Sequence, residues 1–351
     1  MIVTLTPNPG IDRTYAVERL MPGTVHRAGR DWVEAGGKGV NVARVLRAHG
    51  VAVRAVLPIG GPTGESVREL LRADGIDIDA VPVAGDLRCN VTLTDPEGGV
   101  TKVNASGPTM SPAEVGALVE RVVEVVGDAA VSAPDEPVWL VCCGSLTPGA
   151  PDTLLADVIG RVRDRVAARV HVAVDSSGEA LRGAVAVAPD VIKPNLTELE
   201  ELCARPLPTF ADVVAGAQQL HAAGVGTVLV SLGPEGAVLV GEGAVLTAEA
   251  PPVRVRTTVG AGDALLAGYL SHVGSGPVEA LRHAVAFGAA AVQRPIGAIA
   301  GPASLDVPSV NLTEGFEPPR PSRSRSEART AGNGTTTAVS QGDRASLGER
   351  A

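Results

Sequence analysis

A chain of 351 residues is long enough for about two domains of ordinary size and a large core. Hydrophobic residues make up 45%, yet there are only three Phe, two Trp and two Tyr. Val, Leu, Ala and Ile must therefore build the core, and stacked aromatic platforms for single-stranded nucleic acid are excluded. With 30 basic against 39 acidic residues the formal charge is −9, which argues against a phosphate-backbone binder and leaves any anion to a few local cations.

The chain opens on a short buried strand over 2–6 (IVTLT), with no basic stretch ahead of an apolar run, so no signal peptide is expected. A Gly-rich turn leads into a helix over 39–49, where Val40, Ala43, Val45 and Leu46 keep helical spacing. Strand-like runs follow at 53–57, 138–142, 170–174, 190–192 and 227–231, separated by helical stretches at 62–74, 111–127, 151–168 and 209–223. This alternation predicts an α/β fold, a mostly parallel sheet with helices on both faces. Two places break the rhythm. Residues 89–104 read as two strands around a Pro-Glu-Gly-Gly turn and, with outlying strands at 13–18 and 30–34, predict a small β-sheet lid. Residues 236–256 read as another strand-turn-strand. From Glu317 the composition turns to Pro, Ser, Arg, Gly and Thr, which predicts one domain over 1–316 and a disordered tail over 317–351.

Cys89, Cys142, Cys143 and Cys203 form no CxxC pair and have no His at ligand spacing. That predicts neither disulfides nor a zinc site, and a cytoplasmic protein. No apolar run is of membrane-spanning length.

Four motifs carry chemistry. Thr258-Val259-Gly260-Ala261-Gly262-Asp263 opens a helix with three small residues, so its first backbone N–H groups can face an anion. Asp263 reads either as a capping carboxylate or as a base facing a phosphoryl group at that turn. Ala35-Gly36-Gly37-Lys38-Gly39-Val40-Asn41 is no Walker A loop, because Gly39 follows the lysine, yet it suits a polar anionic substrate. Asn8-Pro9-Gly10-Ile11-Asp12 follows the first strand, where Asp12 could accept sugar hydroxyls or form an Asx-turn. Lys193-Pro194-Asn195 with Glu198 opens a further helix. Only Lys38, Lys102 and Lys193 among the basic residues are lysine, and all three fall at Gly-, Asn- or Pro-marked strand ends.

Together these residues resemble the phosphofructokinase B group of the ribokinase-like sugar kinases. TLTPNPGID, AGGKGVNVARVL, RCNVTL, CGSLTPG, VDSSGEAL, VIKPNLTELE, VSLGPEGA and TVGAGDALLAGYL occur in that family's order across about 1–300. Within the group the likeness is greatest to bacterial 1-phosphofructokinases, with tagatose-6-phosphate kinases and the minor 6-phosphofructokinase as relatives. The resemblance implies a ribokinase-like fold and an ATP- and Mg²⁺-dependent hexose-phosphate kinase, most simply fructose 1-phosphate to fructose 1,6-bisphosphate. It implies Asp263 as catalytic base and Gly260, Ala261 and Gly262 as its anion hole. On the substrate side it implies Asp12, Gly36, Gly37 and Asn41 for the sugar, and Arg88 with Lys38 for the existing phosphate. Lys102, Ser106 and Ser145 lie on the same side. Lys193, Asn195, Glu198, Ser231, Gly233 and Thr258 are implied for the nucleotide, with Glu198 reaching Mg²⁺ through water. A homodimer through the lid is implied. Thr147 departs from the family's usual proline in CGSLTPG. Tagatose 6-phosphate and fructose 6-phosphate remain alternative acceptors, and a non-catalytic sugar-phosphate or nucleotide-binding regulator is the alternative from another class.

Overall fold

The computed structural model describes residues 1–96, 99–166, 170–295 and 297–315. The tail expected over 317–351 lies outside them, and the described residues fall in one compact unit.

The strands are β1 (Ile2–Leu5), β2 (Gly10–Ala16), β3 (Arg30–Gly36), β4 (Val53–Ile59), β5 (Asp77–Pro82), β6 (Arg88–Thr94), β7 (Val100–Val103), β8 (Val138–Cys143), β9 (Val170–Asp175), β10 (Val191–Ile192), β11 (Thr227–Ser231), β12 (Ala237–Gly241), β13 (Ala244–Glu249) and β14 (Asn311–Glu314). The helices are α1 (Lys38–Ala48), α2 (Gly61–Ala73), α3 (Pro112–Ser132), α4 (Leu154–Val166), α5 (Gly178–Val185), α6 (Leu196–Cys203), α7 (Phe210–Ala222), α8 (Ala261–His272) and α9 (Pro277–Val292).

Ten strands form one sheet in the order β14-β13-β12-β11-β10-β9-β8-β1-β4-β5. From β5 to β11 neighbours run parallel, whereas β12, β13 and β14 are antiparallel. The strand-turn-strand at 236–256 thus extends the main sheet. The Val- and Leu-rich central strands are buried on both faces, as parallel strands covered by helices must be. One apolar cluster lies under α3 to α7 and a second under α1, α2, α8 and α9.

The lid is a four-stranded sheet in the order β3-β2-β6-β7. One of its strands starts earlier than the sequence predicts: β2 opens at Gly10 rather than at 13, which places Asp12 inside the lid. Gly10 lies opposite both Gly36 and Arg88, so both glycine motifs and Arg88 meet where the lid leaves the core. Arg44 of α1 fastens that junction, with Nη1 donating to Glu34 Oε1 at 3.0 Å and Nε to Asp74 Oδ2 at 2.6 Å.

Candidate active site

The carboxyl ends of parallel strands, where ligands of open α/β sheets bind, bring the motifs together. Asp175 closes β9, Lys193 follows β10, and Ser231 ends β11. The turn before α8 faces the same edge. Gly260, with φ +74°, is the N-cap, and no side chain caps that turn. Asp263 is therefore not spent on its own helix. Its Oδ2 accepts a hydrogen bond from Asn41 Nδ2 of α1 at 2.8 Å, and the residue is 7% exposed. Burial, then the neighbouring Asp175 charge, lift its pKa to about 6 against the opposing pull of Asn41, Lys193 and Lys38. A buried carboxylate poised near neutrality, beside free helix N–H groups, suits proton abstraction next to a bound anion.

Asp175 is the residue that the sequence analysis missed. It is 1% exposed and joins two lysines, Lys38 Nζ to Oδ1 at 2.8 Å and Lys193 Nζ to Oδ2 at 3.1 Å. The available signal was an Asp closing an apolar strand in VDSSGEAL, the same rule that singled out Asp12. Lys193 is 4% exposed, and a Cβ on Gly262 would lie 3.3 Å from its Nζ, so the ammonium sits under the anion turn.

Lys38 requires a correction. The expectation paired it with Arg88 on one phosphate. Instead its ammonium bonds Asp175 and lies 3.5 Å from Glu198 Oε1. Burial opposes that charge, but Asp175 and Glu198 outweigh it and hold the lysine above its usual pKa. Lys38 belongs with Lys193, because α1 starts at the end of β3 and points its first turn toward β9.

Arg88 stands apart from that cluster. Its Nη2 donates to Asn8 O at 2.7 Å and its Nη1 to Ala105 O at 3.5 Å, while Nε is buried without a partner. Burial lowers its pKa, with Asp12 offsetting part of the effect. No carboxylate forms an ion pair with it among the described residues, which leaves a half-buried cation ready for an anion.

Asp12 Oδ1 accepts from Asn90 Nδ2 at 2.8 Å, so the Asx-turn reading gives way to a lid carboxylate held by its neighbouring strand. A Cβ on Gly36 would fall 2.4 Å from Asp12 Cγ, and one on Gly37, at φ +121°, 2.7 Å from Thr6 Cγ2. Asp12, Asn41, Asn90, Lys102, Thr258 and Gly260 line one cleft of about 240 Å³ between lid and core. Ser106 and Ser145 are exposed. Thr147, the departure noted above, is buried and donates to Pro108 O at 2.5 Å, a bond within the loop framework.

Just beyond β10, Asn195 caps α6. Its side chain accepts from Glu198 N at 2.9 Å, and Glu198 Oε2 accepts from Asn195 N at 2.8 Å. That capping box uses one oxygen of Glu198 and leaves Oε1 facing Lys38. Ser231 N donates to Pro194 O at 3.0 Å, which sets Ser231 beside Asn195, and Gly233 stands just beyond with open space around it.

Residues 6–303 match the pfkB family carbohydrate kinase model. The chain belongs to this family. A curated relative from Haloferax volcanii, named 1-phosphofructokinase, is 41% identical over 290 residues, covering 81% of this chain and 88% of that protein. One of the same name from Rhodobacter capsulatus is 35% identical, covering 82% and 88%. Among solved structures, phosphofructokinase-2 from Escherichia coli in complex with fructose-6-phosphate superposes with a TM-score of 0.78 at 30% identity, covering 86% of this chain and 96% of that one. The ribokinase-like α/β architecture with its small second sheet is thus established, and with it a phosphotransferase acting on a sugar hydroxyl.

Proposed function

We propose that this kinase transfers the γ-phosphoryl group of ATP to fructose 1-phosphate, with the sugar's 6-hydroxyl as nucleophile and fructose 1,6-bisphosphate as product. The observation that carries the reading is Asp263, a buried carboxylate held by Asn41 beside an uncapped, glycine-rich helix start. A non-catalytic binder has no use for such a group. As the oxygen–phosphorus bond forms, Asp263 takes the hydroxyl proton, and the bond from the γ-phosphorus to the ADP oxygen breaks. The amides at Gly260–Gly262 and the Lys193 ammonium face the charge that develops on the transferring group. Asp12 and Asn41 hold sugar hydroxyls, Arg88 with Ser106 and Ser145 takes the phosphate already present, and Lys102 lines the lid side of the cleft. Asn195, Ser231, Gly233 and Thr258 border the nucleotide.

Magnesium fits this donor set through the nucleotide. Among the described residues no three His, Cys, Asp or Glu side chains form a metal cluster, while Glu198 keeps Oε1 free of its capping box. Mg²⁺ commonly binds one or two carboxylates, waters and substrate phosphates, so Glu198 would hold it, through water, and the ion would neutralise phosphate charge.

Two further readings concern assembly and compartment. Val33, Arg13, Val91 and Val103 form one row across the lid, on the face opposite Asp12 and Asn90, with Val103 62% exposed. A second copy of the chain covering that row makes the protein a homodimer, and light scattering of wild type against Val103→Lys tests it. No helix among the described residues is long and apolar enough to cross a membrane, and the free Cys142 and Cys143 thiols suit a reducing cytoplasm.

Measuring kcat/KM for fructose 1-phosphate, fructose 6-phosphate and tagatose 6-phosphate tests the acceptor. A clear preference for either 6-phosphate overturns the named acceptor and keeps the kinase. Absence of ATP turnover with all three overturns the reading.

A further inference from the structure

Asn8 occupies the turn between β1 and β2 and is 4% exposed. Its Nδ2 donates to Ser106 O at 2.9 Å and to Leu146 O at 3.2 Å, which consumes both amide hydrogens. Its own backbone carbonyl accepts from Arg88 Nη2 at 2.7 Å. Three segments far apart in sequence therefore meet on one residue. They are the first lid strand of the second pair, which carries Arg88, the stretch after the lid hairpin, which carries Ser106, and the loop after β8, which carries Ser145 next to Leu146. Gly107, at φ +91°, leaves the space that the Asn8 amide fills, since a Cβ there would fall 2.4 Å from its Oδ1. Other bonds join two of these segments at a time, from Arg88 Nη1 to Ala105 O at 3.5 Å, from Ala105 N to Asn90 Oδ1 at 3.2 Å, from Thr147 Oγ1 to Pro108 O and from Met110 N to Pro148 O, and none of them ties all three together as Asn8 does.

We propose that Asn8 is a positioning residue for the phosphate end of the acceptor site, fixing Arg88, Ser106 and Ser145 relative to one another. The proposal rests on the reading that Arg88 holds the acceptor's phosphate. Two unpartnered buried atoms support it. Asn8 Oδ1 and Arg88 Nε are both buried without a hydrogen-bond partner, a cost that native proteins accept mainly where a site needs it. An aspartate of the same shape cannot serve. It donates nothing to the Ser106 and Leu146 carbonyls, and it adds a negative charge beside the Arg88 cation.

The experiment measures KM for fructose 1-phosphate and for ATP separately in Asn8→Ala, Asn8→Asp, Arg88→Ala and the Asn8→Ala/Arg88→Ala double variant of the full chain. Loss of two neutral hydrogen bonds predicts that Asn8→Ala raises KM for the sugar phosphate by about 5- to 30-fold, with KM for ATP within about twofold. Asn8→Asp should be worse. In the Arg88→Ala background the Asn8 effect should largely vanish, because the pair acts as a unit. If Asn8→Ala does not fold, Asn8→Ser, which keeps one donor, should give the same pattern at smaller amplitude. Equal losses toward ATP and sugar phosphate, or effects that simply multiply in the double variant, overturn the proposal. A steep Arg88 effect with a flat Asn8 effect overturns it alone, whereas flat effects in both overturn the phosphate-site reading with it.

Discussion

Asn41 Nδ2 lies 2.8 Å from Asp263 Oδ2, and this bond joins the first helix of the chain to the last long helix pair across 222 residues of sequence. It holds one oxygen of the carboxylate, the group to which the proposed function assigns the substrate proton. Asp263→Asn should therefore bind ATP and sugar phosphate with KM values close to wild type while kcat falls by about 10²–10⁴-fold, the usual loss of a general base. Steady-state kinetics at saturating substrates check this. Activity within about threefold of wild type would sink the assignment.

The lifted pKa of Asp263 sets the pH profile. The base works only when ionised, so kcat/KM should rise with pH through about 6 and level off above it. Stability runs the other way for this group. A carboxyl whose folded pKa exceeds its unfolded value contributes stability below the unfolded pKa and loses it as pH rises through the folded one. Asp263→Asn should accordingly gain Tm over wild type at pH 8, and the gain should shrink toward pH 4. Paired thermal melts across that range decide it.

Lys38 separates two chemical assignments. Bound to Asp175 and close to Glu198, it should serve the nucleotide side. Lys38→Met is expected to lower kcat/KM for ATP by about 10–100-fold, with KM for the sugar phosphate nearly unchanged. Because the ammonium lowers the Asp263 pKa, its removal should also shift the acid limb of the pH profile upward. A steep rise in KM for the sugar phosphate alone would return Lys38 to the Arg88 end.

Gly36 gives a steric test. Its missing Cβ leaves the space that Asp12 occupies. Gly36→Ala must push Asp12 off its Asn90 partner, which predicts a higher KM for the sugar and a stability loss of about 1–3 kcal/mol from overpacking. Urea unfolding together with sugar-phosphate titration checks both. Unchanged KM would mean that Asp12 does not touch the sugar.

Much of this architecture was legible because local pattern and tertiary role agree. The Val-rich runs at 138–142, 170–174 and 227–231 are apolar at nearly every buried position because helices cover both faces of the sheet. Where local pattern is silent, the sequence analysis stopped short. Strand β5 (DIDAVP) carries acidic residues at two of its six positions, and its pairing with β4 becomes visible only once the sheet edge exists. Strand β14 pairs with β13 from far along the chain. The destination of Lys38 was hidden for a related reason. The choice between Arg88 and Asp175 depends on how α1 leaves the lid, which no spacing within AGGKGVN encodes. For Asn195 and Glu198 the helix-opening reading holds, since one oxygen of Glu198 caps the helix and the other faces Lys38.

The lid's pairing carries a consequence for how the chain reaches this state. Strand β2 lies parallel to β6, and α1, β4, α2 and β5 all intervene between them. The lid therefore has no local hairpin linking its two central strands, and it cannot be excised as a continuous fragment. Pairing its central strands closes a loop through all of those elements, a passage whose entropy cost a local hairpin avoids. Arg44, clasping Glu34 of the lid strand and Asp74 at the end of α2, joins parts that become neighbours only after that passage is complete. The cleft, lined by Asp12 of β2 and Asn90 of β6, thus depends on two strands that meet only when that loop is closed.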